Sequence, residues 1–250
     1  MISFQNLSAG YGPCDVLQNQ SAKTKSGELI ALIGPNGCGK STLLKTLCGI
    51  ISPSSGKVSV RDKTLSEINL KSRAKHIAYL AQSREAMPSM SVEEVVRLGR
   101  APYRGTLGKI SPEGETAIAS ALFRTQSEIF KTRRFDNLSG GEQARVLLAR
   151  ALAVEAPVLL ADEPIAALDP FYQLSMMQIL KAEAAFGKTI ITALHDLTLA
   201  AQFADRIWMM HQGKIIADGP ALDVLTAENL KTVFRIKLPK GGFKTLELAD

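Results

Sequence analysis

Gly34-Pro35-Asn36-Gly37-Cys38-Gly39-Lys40-Ser41 lies between an apolar run, residues 29–33, and an apolar helical pattern that starts at Thr42 and reaches Cys48. The order is strand, glycine-rich loop, helix. Glycines let the backbone curl so that successive N–H groups converge, and the following helix turns its positive end to the same point. A chain of phosphates fits there, with Lys40 as a mobile cation for the outer phosphates and Ser41 as a hydroxyl for Mg²⁺. A turn that merely joined a strand to a helix would not require the Lys-Ser pair. Gly34 to Ser41, with Thr42, is therefore read as a phosphate-binding loop, in which the Cys38 side chain is not what the phosphates need.

The chain has 250 residues, 46% hydrophobic and 22% charged, long enough to bury a sizeable core in one large domain or two coupled lobes. Three cysteines, Cys14, Cys38 and Cys48, show no metal-like pairing, and no basic segment followed by an apolar stretch opens the chain. A reducing cytoplasm is the expected compartment. Asp162 and Glu163 cut the apolar run at residues 158–161 short, so no segment approaches the ~18 residues of a spanning helix. The net charge of +6 is scattered among acidic residues. Its densest part, Lys231, Arg235, Lys237, Lys240 and Lys244, lacks the aromatic interleaving of a nucleic-acid platform, so nucleic acid is not an expected partner.

Residues 2–7 alternate apolar and polar, and residues 57–60 do so more weakly, as half-buried strands would. Between them Gly10-Tyr11-Gly12 offers an aromatic in a turn, either to stack on a base or to cover a sheet edge. Residues 40–48 read as a helix closed by Gly49, and residues 77–80 as a buried strand ending at Gln82, which alone reads as surface. Residues 83–153 read as helical. Ser91-Val92-Glu93-Glu94 is a capping box, Ser111-Pro112 an N-cap with proline at the first position, and Ser139 the cap of a long apolar helix. Loops at residues 83–90 and 100–110 are expected on the surface of this segment. Residues 158–161 form a buried strand that delivers Asp162 and Glu163 at its carboxyl end, where α/β sheets gather ligands. Asp162 can face the Mg²⁺ held by Ser41, and Glu163 the attacking water. Asp169-Pro170 opens a helix to about Gly187, and residues 189–193 are the next strand, with His195 just past it. His76 and His211 have no such context and read as surface or turn residues. Residues 206–211 and 214–217 read as a hairpin closing the sheet.

In this order the motifs resemble one family across essentially the whole chain, the ATP-binding subunits of ABC transporters. Leu138-Ser139-Gly140-Gly141-Glu142 looks like the family's signature, which other phosphate-loop ATPases do not carry between loop and acidic strand. The resemblance implies an α/β ABC-type nucleotide-binding domain: a RecA-like core at residues 1–82 and 154–250, a small antiparallel β subdomain, and a helical subdomain at residues 83–153. It implies ATP and Mg²⁺ as ligands, with Tyr11 stacking on adenine, Gln82 as the Q-loop residue reaching metal and water, Asp162 as the Mg²⁺ partner, Glu163 as general base and His195 as the switch histidine. Ser139, Gly140 and Gly141 add a second anion site at a helix N-terminus, and one chain's loop already holds its own nucleotide. A head-to-tail homodimer sandwiching two ATP meets both conditions. Two departures stand out: Ile165-Ala166-Ala167-Leu168 where the family commonly has Thr-Ser-Ala-Leu, and Glu142 where the signature often ends in Gln.

Within the family, Leu98-Gly99-Arg100 with Pro102, His195-Asp196-Leu197 before Leu199-Ala200-Ala201, and Gly219-Pro220 before Val224-Leu225-Thr226 look like importers of iron-siderophores, haem and cobalamin. The implied role is ATP hydrolysis for ferric siderophore uptake, with haem or cobalamin as alternatives. Transmembrane permease subunits, a substrate-binding protein acting indirectly, and a peripheral place on the cytoplasmic face of a bacterial membrane go with it. A soluble ABC ATPase working on nucleic acid would show two cassettes or a long coiled coil, and residues 41–139 carry no sustained heptads. A small-molecule kinase would explain neither residues 138–142 nor Glu163. A bulky thiol reagent is expected to block activity at Cys38, with ATP protecting.

Overall fold

A computed structural model describes residues 1–82, 89–104 and 108–237. The expected loop at residues 83–90 falls largely outside these, as do residues 105–107 and the tail from 238 onward.

The phosphate loop follows β3 (Leu29–Ile33), a strand with parallel neighbours on both sides, and leads into α1 (Lys40–Leu47). Before it, β1 (Ile2–Tyr11) and β2 (Cys14–Lys23) form a hairpin; after it come β4 (Ser55–Val60) and the short β5 (Lys63–Thr64). These four make an antiparallel sheet in the order β2-β1-β4-β5. The expected small sheet is present, but β2 and β5 are additions to the sequence reading. So is α2 (Leu70–His76), capped by the Asn69 side chain and ending at His76, ahead of β6 (Ile77–Leu80).

The helical segment contains α3 (Val92–Arg97), α4 (Pro112–Arg124) and α5 (Gly140–Leu152). The caps stand where the sequence puts them: Ser91 and Ser139 close reciprocal capping boxes with Glu94 and Glu142, and Ser111 accepts from Gly114 ahead of Pro112. One expectation needs correction. Arg100 is not on a surface loop: it sits in a 3-10 turn, 5% exposed, donating to the Ala153 carbonyl at 2.7 Å and to Glu155 at 2.8 Å. Gly99 lies so close to the Arg150 carbonyl that a Cβ there would come within 2.2 Å of it. The Leu98-Gly99-Arg100 stretch thus clamps the end of α5.

β7 (Val158–Asp162), α6 (Pro170–Ala185), β8 (Thr189–Ala193), α7 (Leu197–Phe203), β9 (Arg206–His211) and β10 (Lys214–Gly219) complete the second sheet. Its order is β10-β9-β3-β8-β7-β6, parallel except for the antiparallel hairpin at β9 and β10. Side chains on a strand alternate faces, so each central strand feeds two cores. Leu29, Ala31 and Ile33 join Leu159 and Ala161 on the face packed with α3 to α7. Ile30 and Leu32 join Val158 and Leu160 on the face packed with α1 and the antiparallel sheet. There Phe4 of β1 meets Trp208 of β9 edge-on, ring centroids 5.8 Å apart, which ties the two sheets together. Helical residues such as Val95, Ile118 and Leu148 share the first core with β3, so the inserted helices are built onto the sheet. Among the described residues no helix is long and apolar enough to cross a membrane.

Candidate active site

The alternation that builds the cores also aims the site. Val158 and Leu160 face α1, so two residues on Asp162 faces it too, at the carboxyl end of β7, where Ser41 stands in the first turn of α1. Ser41 Oγ donates to Asp162 Oδ1 at 2.9 Å, and the Tyr79 hydroxyl donates to Oδ2 at 3.1 Å. Asp162 is 2% exposed, so these bonds are what make its burial tolerable. Burial and the Asp162 charge both push the Tyr79 hydroxyl well above its usual range, which keeps it a donor. Lys40 Nζ folds back over the loop and donates to the carbonyls of Gly34 at 2.8 Å and Pro35 at 3.2 Å. Gly39 enters α1 with φ 107°, a conformation open to glycine and strained for a side chain.

The second part of the site gathers on Glu163. This residue has φ 51°, unusual for a non-glycine, and the turn is held by Ala166 N–H donating to the Glu163 carbonyl at 3.1 Å. Gln82, just past β6, donates through Nε2 to Glu163 Oε2 at 2.8 Å. His195, just past β8, lies with Nε2 2.5 Å from Glu163 Oε1, within hydrogen-bonding distance. Asp196 fixes the backbone beside it by capping α7, accepting from Thr198 and Leu199 N–H groups at 2.7 and 2.9 Å. Three strand ends therefore bring Gln82, Glu163 and His195 together, whereas Gln82 touches Glu163 and not the Ser41–Asp162 pair. His211 closes β9, half-buried, apart from this group.

A groove of about 290 Å³ runs along the loop, lined by Tyr11, Val16, Asn36, Gly37, Gly39, Lys40, Ser41, Thr42 and Glu163. Tyr11 ends β1 opposite Cys14, a strand position and not the turn expected, and is 55% exposed at the groove's side. Val16, from the unforeseen β2, also faces the groove. Gly34, Pro35 and Cys38 do not line it: the first two hold Lys40 through their carbonyls, and Cys38 is buried. Ser139, Gly140 and Gly141 do not line this groove. They open α5, where Glu142 Oε2 accepts from Ser139 N–H at 2.7 Å, so Glu142 fills a capping-box position that Gln would fill equally. A Cβ on Gly141 would fall 2.3 Å from the Tyr172 ring, and that ring lies 4.9 Å from the Arg145 guanidinium of α5. The signature glycine is thus held by its own chain's α6.

The ABC transporter family model matches residues 17–166, from β2 through the acid-bearing strand. The chain belongs to the ABC transporter family. It is an ATP-binding ATPase subunit of the ABC type. It is 40% identical over 234 residues to the hemin import ATP-binding protein of Thermobifida fusca, covering 94% of this chain and 82% of that protein. It is 37% identical over 236 residues to the iron(3+)-hydroxamate import ATP-binding protein of Bacillus subtilis, covering 94% and 88%. Among solved structures, an ATP-binding cassette captured as a dimer after hydrolysis, with ADP and phosphate, superposes with TM-score 0.78 at 30% identity over 88% of this chain and 99% of that one. An inward-facing ABC transporter assigned to the metal-chelate type gives TM-score 0.83 at 28% identity over 94% and 89%.

For this ABC subunit the thiol expectation is corrected. Cys38 is 5% exposed and packs in the α1-side core, and burial pushes its pKa up; burial likewise raises Cys48 to about 11. Cys14 is exposed. A maleimide should therefore label Cys14 in the folded chain, with Cys38 and Cys48 reacting only on unfolding. Mass spectrometry of the labelled peptides checks this, and rapid native labelling of Cys38 would contradict the packing.

Proposed function

We propose that this chain is the ATP-hydrolysing subunit of an importer of iron chelates, ferric siderophores foremost. The observation that carries the catalytic part is the convergence of Gln82, Glu163 and His195 beside the loop that ends in Lys40 and Ser41. ATP lies along the groove, its adenine on Tyr11 and its phosphates against residues 34–42, with Lys40 exchanging loop carbonyls for phosphate oxygens. Ser41 Oγ and Asp162 Oδ1, 2.9 Å apart, are the all-oxygen donors a hard cation takes. Among the described residues no cluster of three or more His, Cys, Asp or Glu offers a protein-only metal cage, which suits an ion shared with phosphates. Those two residues would hold Mg²⁺, which when bound neutralises charge developing on the phosphates. Glu163 takes the proton of the attacking water, Gln82 and His195 orient its carboxylate, and water adds to the γ-phosphorus as the bond to ADP breaks.

Ser139, Gly140 and Gly141 serve the ATP of a second copy in a head-to-tail dimer; the related post-hydrolysis cassette is itself dimeric, with ADP and phosphate bound. Closure and reopening pass motion to transmembrane permease subunits, so the chain works on the cytoplasmic face of a bacterial membrane, with a substrate-binding protein upstream. Residues 1–82 and 154–250 act as the nucleotide core and residues 83–153 as the helical subdomain that carries the signature.

The cargo reading rests on relatives named for hydroxamate, petrobactin and achromobactin transport. Haem is the second reading, favoured by the 40% identity to a hemin import protein. Deleting the gene and measuring uptake of radiolabelled ferric siderophores and of haem separates them. Loss of siderophore uptake with haem uptake intact is expected. The reverse result selects haem, and unchanged uptake of both refutes iron-chelate import.

A further inference from the structure

Ser41, Asp162 and Tyr79 form a continuous line of hydrogen bonds, of which the ATPase reading uses only the first two. β6 and β7 run parallel with Tyr79 opposite Leu160, so Tyr79 and Asp162 project from the same face of neighbouring strands. β6 is the sheet's last strand, and from there the ring reaches inward, packed against the α1-side core. Its hydroxyl holds Oδ2 of Asp162 at 3.1 Å while Ser41 holds Oδ1 at 2.9 Å. The terminal torsion of an aspartate is broad and two-fold, so the backbone of β7 alone does not decide which oxygen turns to α1. A donor fixed on one oxygen does decide it.

We propose that Tyr79 is a positioning residue for the divalent cation: by holding Oδ2 it keeps Oδ1 of Asp162 turned toward Ser41, the pair that receives the ion. This rests on the assignment of Mg²⁺ to Ser41 and Asp162. Tyr79 does not line the groove along the loop, and it acts through its bond to Asp162. The opposite effect is also physically defined: a hydroxyl that donates to a carboxylate draws charge from it, and its loss would then tighten cation binding.

Tyr79→Phe keeps the ring and removes only the donor. In the full chain and this variant, two quantities are measured: affinity for a fluorescent ATP analogue without divalent cation, and binding of Mn²⁺ in the presence of a non-hydrolysable ATP analogue, read by electron paramagnetic resonance. The expected result is unchanged cation-free nucleotide affinity and a Mn²⁺ midpoint raised about tenfold, the scale of one hydrogen bond to a charged group. Raising Mg²⁺ should correspondingly restore kcat. An unchanged or lowered midpoint overturns the proposal, and a fall in melting temperature with the midpoint unmoved assigns Tyr79 to packing alone. If the unmodified chain itself takes up no Mn²⁺ with nucleotide, the metal assignment fails and the proposal with it. That outcome is distinguishable from one in which the chain responds and the variant responds equally.

Discussion

Glu163→Gln should lower ATP turnover by about 10²-fold to 10⁴-fold, the usual weight of a general base, while leaving ATP binding intact. The substitution changes one atom of a side chain already held between Gln82 and His195 at 2.8 and 2.5 Å. A glutamine still accepts one of those bonds, so the strained turn at φ 51° and the groove wall stay in place. What disappears is the proton acceptor. Nucleotide then accumulates unhydrolysed, and light scattering should show the variant passing from monomer to dimer on addition of Mg-ATP, whereas the unmodified chain passes through that state only transiently. Phosphate release at an unchanged rate would place the base elsewhere. Tight ATP binding with a persistent monomer would deny Ser139, Gly140 and Gly141 their role toward a second copy.

How much of this was legible follows from burial. β3, β6, β7 and β8 are central or covered strands whose apolar runs are continuous, so the limits of β3, β6 and β8 could be read to the residue and β7 to within one, since it takes in Asp162 as well. The caps at Ser91, Ser111, Ser139 and Asp169 were legible because a hydroxyl or carboxylate before a helical pattern answers a local need of the backbone. β2 was missed because only Leu17 and Gln20 of its ten residues are buried and a left-handed Asn19 breaks its alternation. α2 buries none of its residues and so carries no apolar period. Val16 went unnoticed with its strand. Tyr79 reads in sequence as one more residue of a buried strand, and its hydroxyl acquires meaning only when β7 is laid beside it. Gln82 shows the same limit: alone it is a polar residue after a strand, and its contact with Glu163 spans 81 positions. Cys38 inverts the expectation of a reactive thiol, since membership of the phosphate loop says nothing of which way a side chain points, and its thiol faces the core.

Arg124→Ala should cost about 3–5 kcal/mol of folding stability, the range for breaking a buried ion pair from one side. Arg124 is the last residue of α4, and its guanidinium grips both oxygens of Glu183 on α6, at 2.6 and 2.7 Å. Glu183 is 1% exposed, so without that partner its carboxylate keeps, among the described residues, only Lys188 at 3.8 Å, beyond hydrogen-bonding distance. Burial pulls the Lys188 pKa down, so this ammonium is itself poorly solvated and a weak substitute. Arg134→Ala provides the contrast, because the Arg134–Asp136 pair is exposed on both sides, screened by solvent, and should contribute little to stability. Chemical denaturation of the two variants measures the difference directly. The loss at Arg124 should also be local in character, since the pair joins the end of a helix in the inserted segment to the helix that follows the acidic strand. Amide exchange should accelerate in α4 before it does in β3 and β7. Adding Glu183→Gln to Arg124→Ala removes the stranded charge and should recover part of the stability; a double variant no more stable than Arg124→Ala would show that the cost lies in lost packing and not in the unpaired carboxylate.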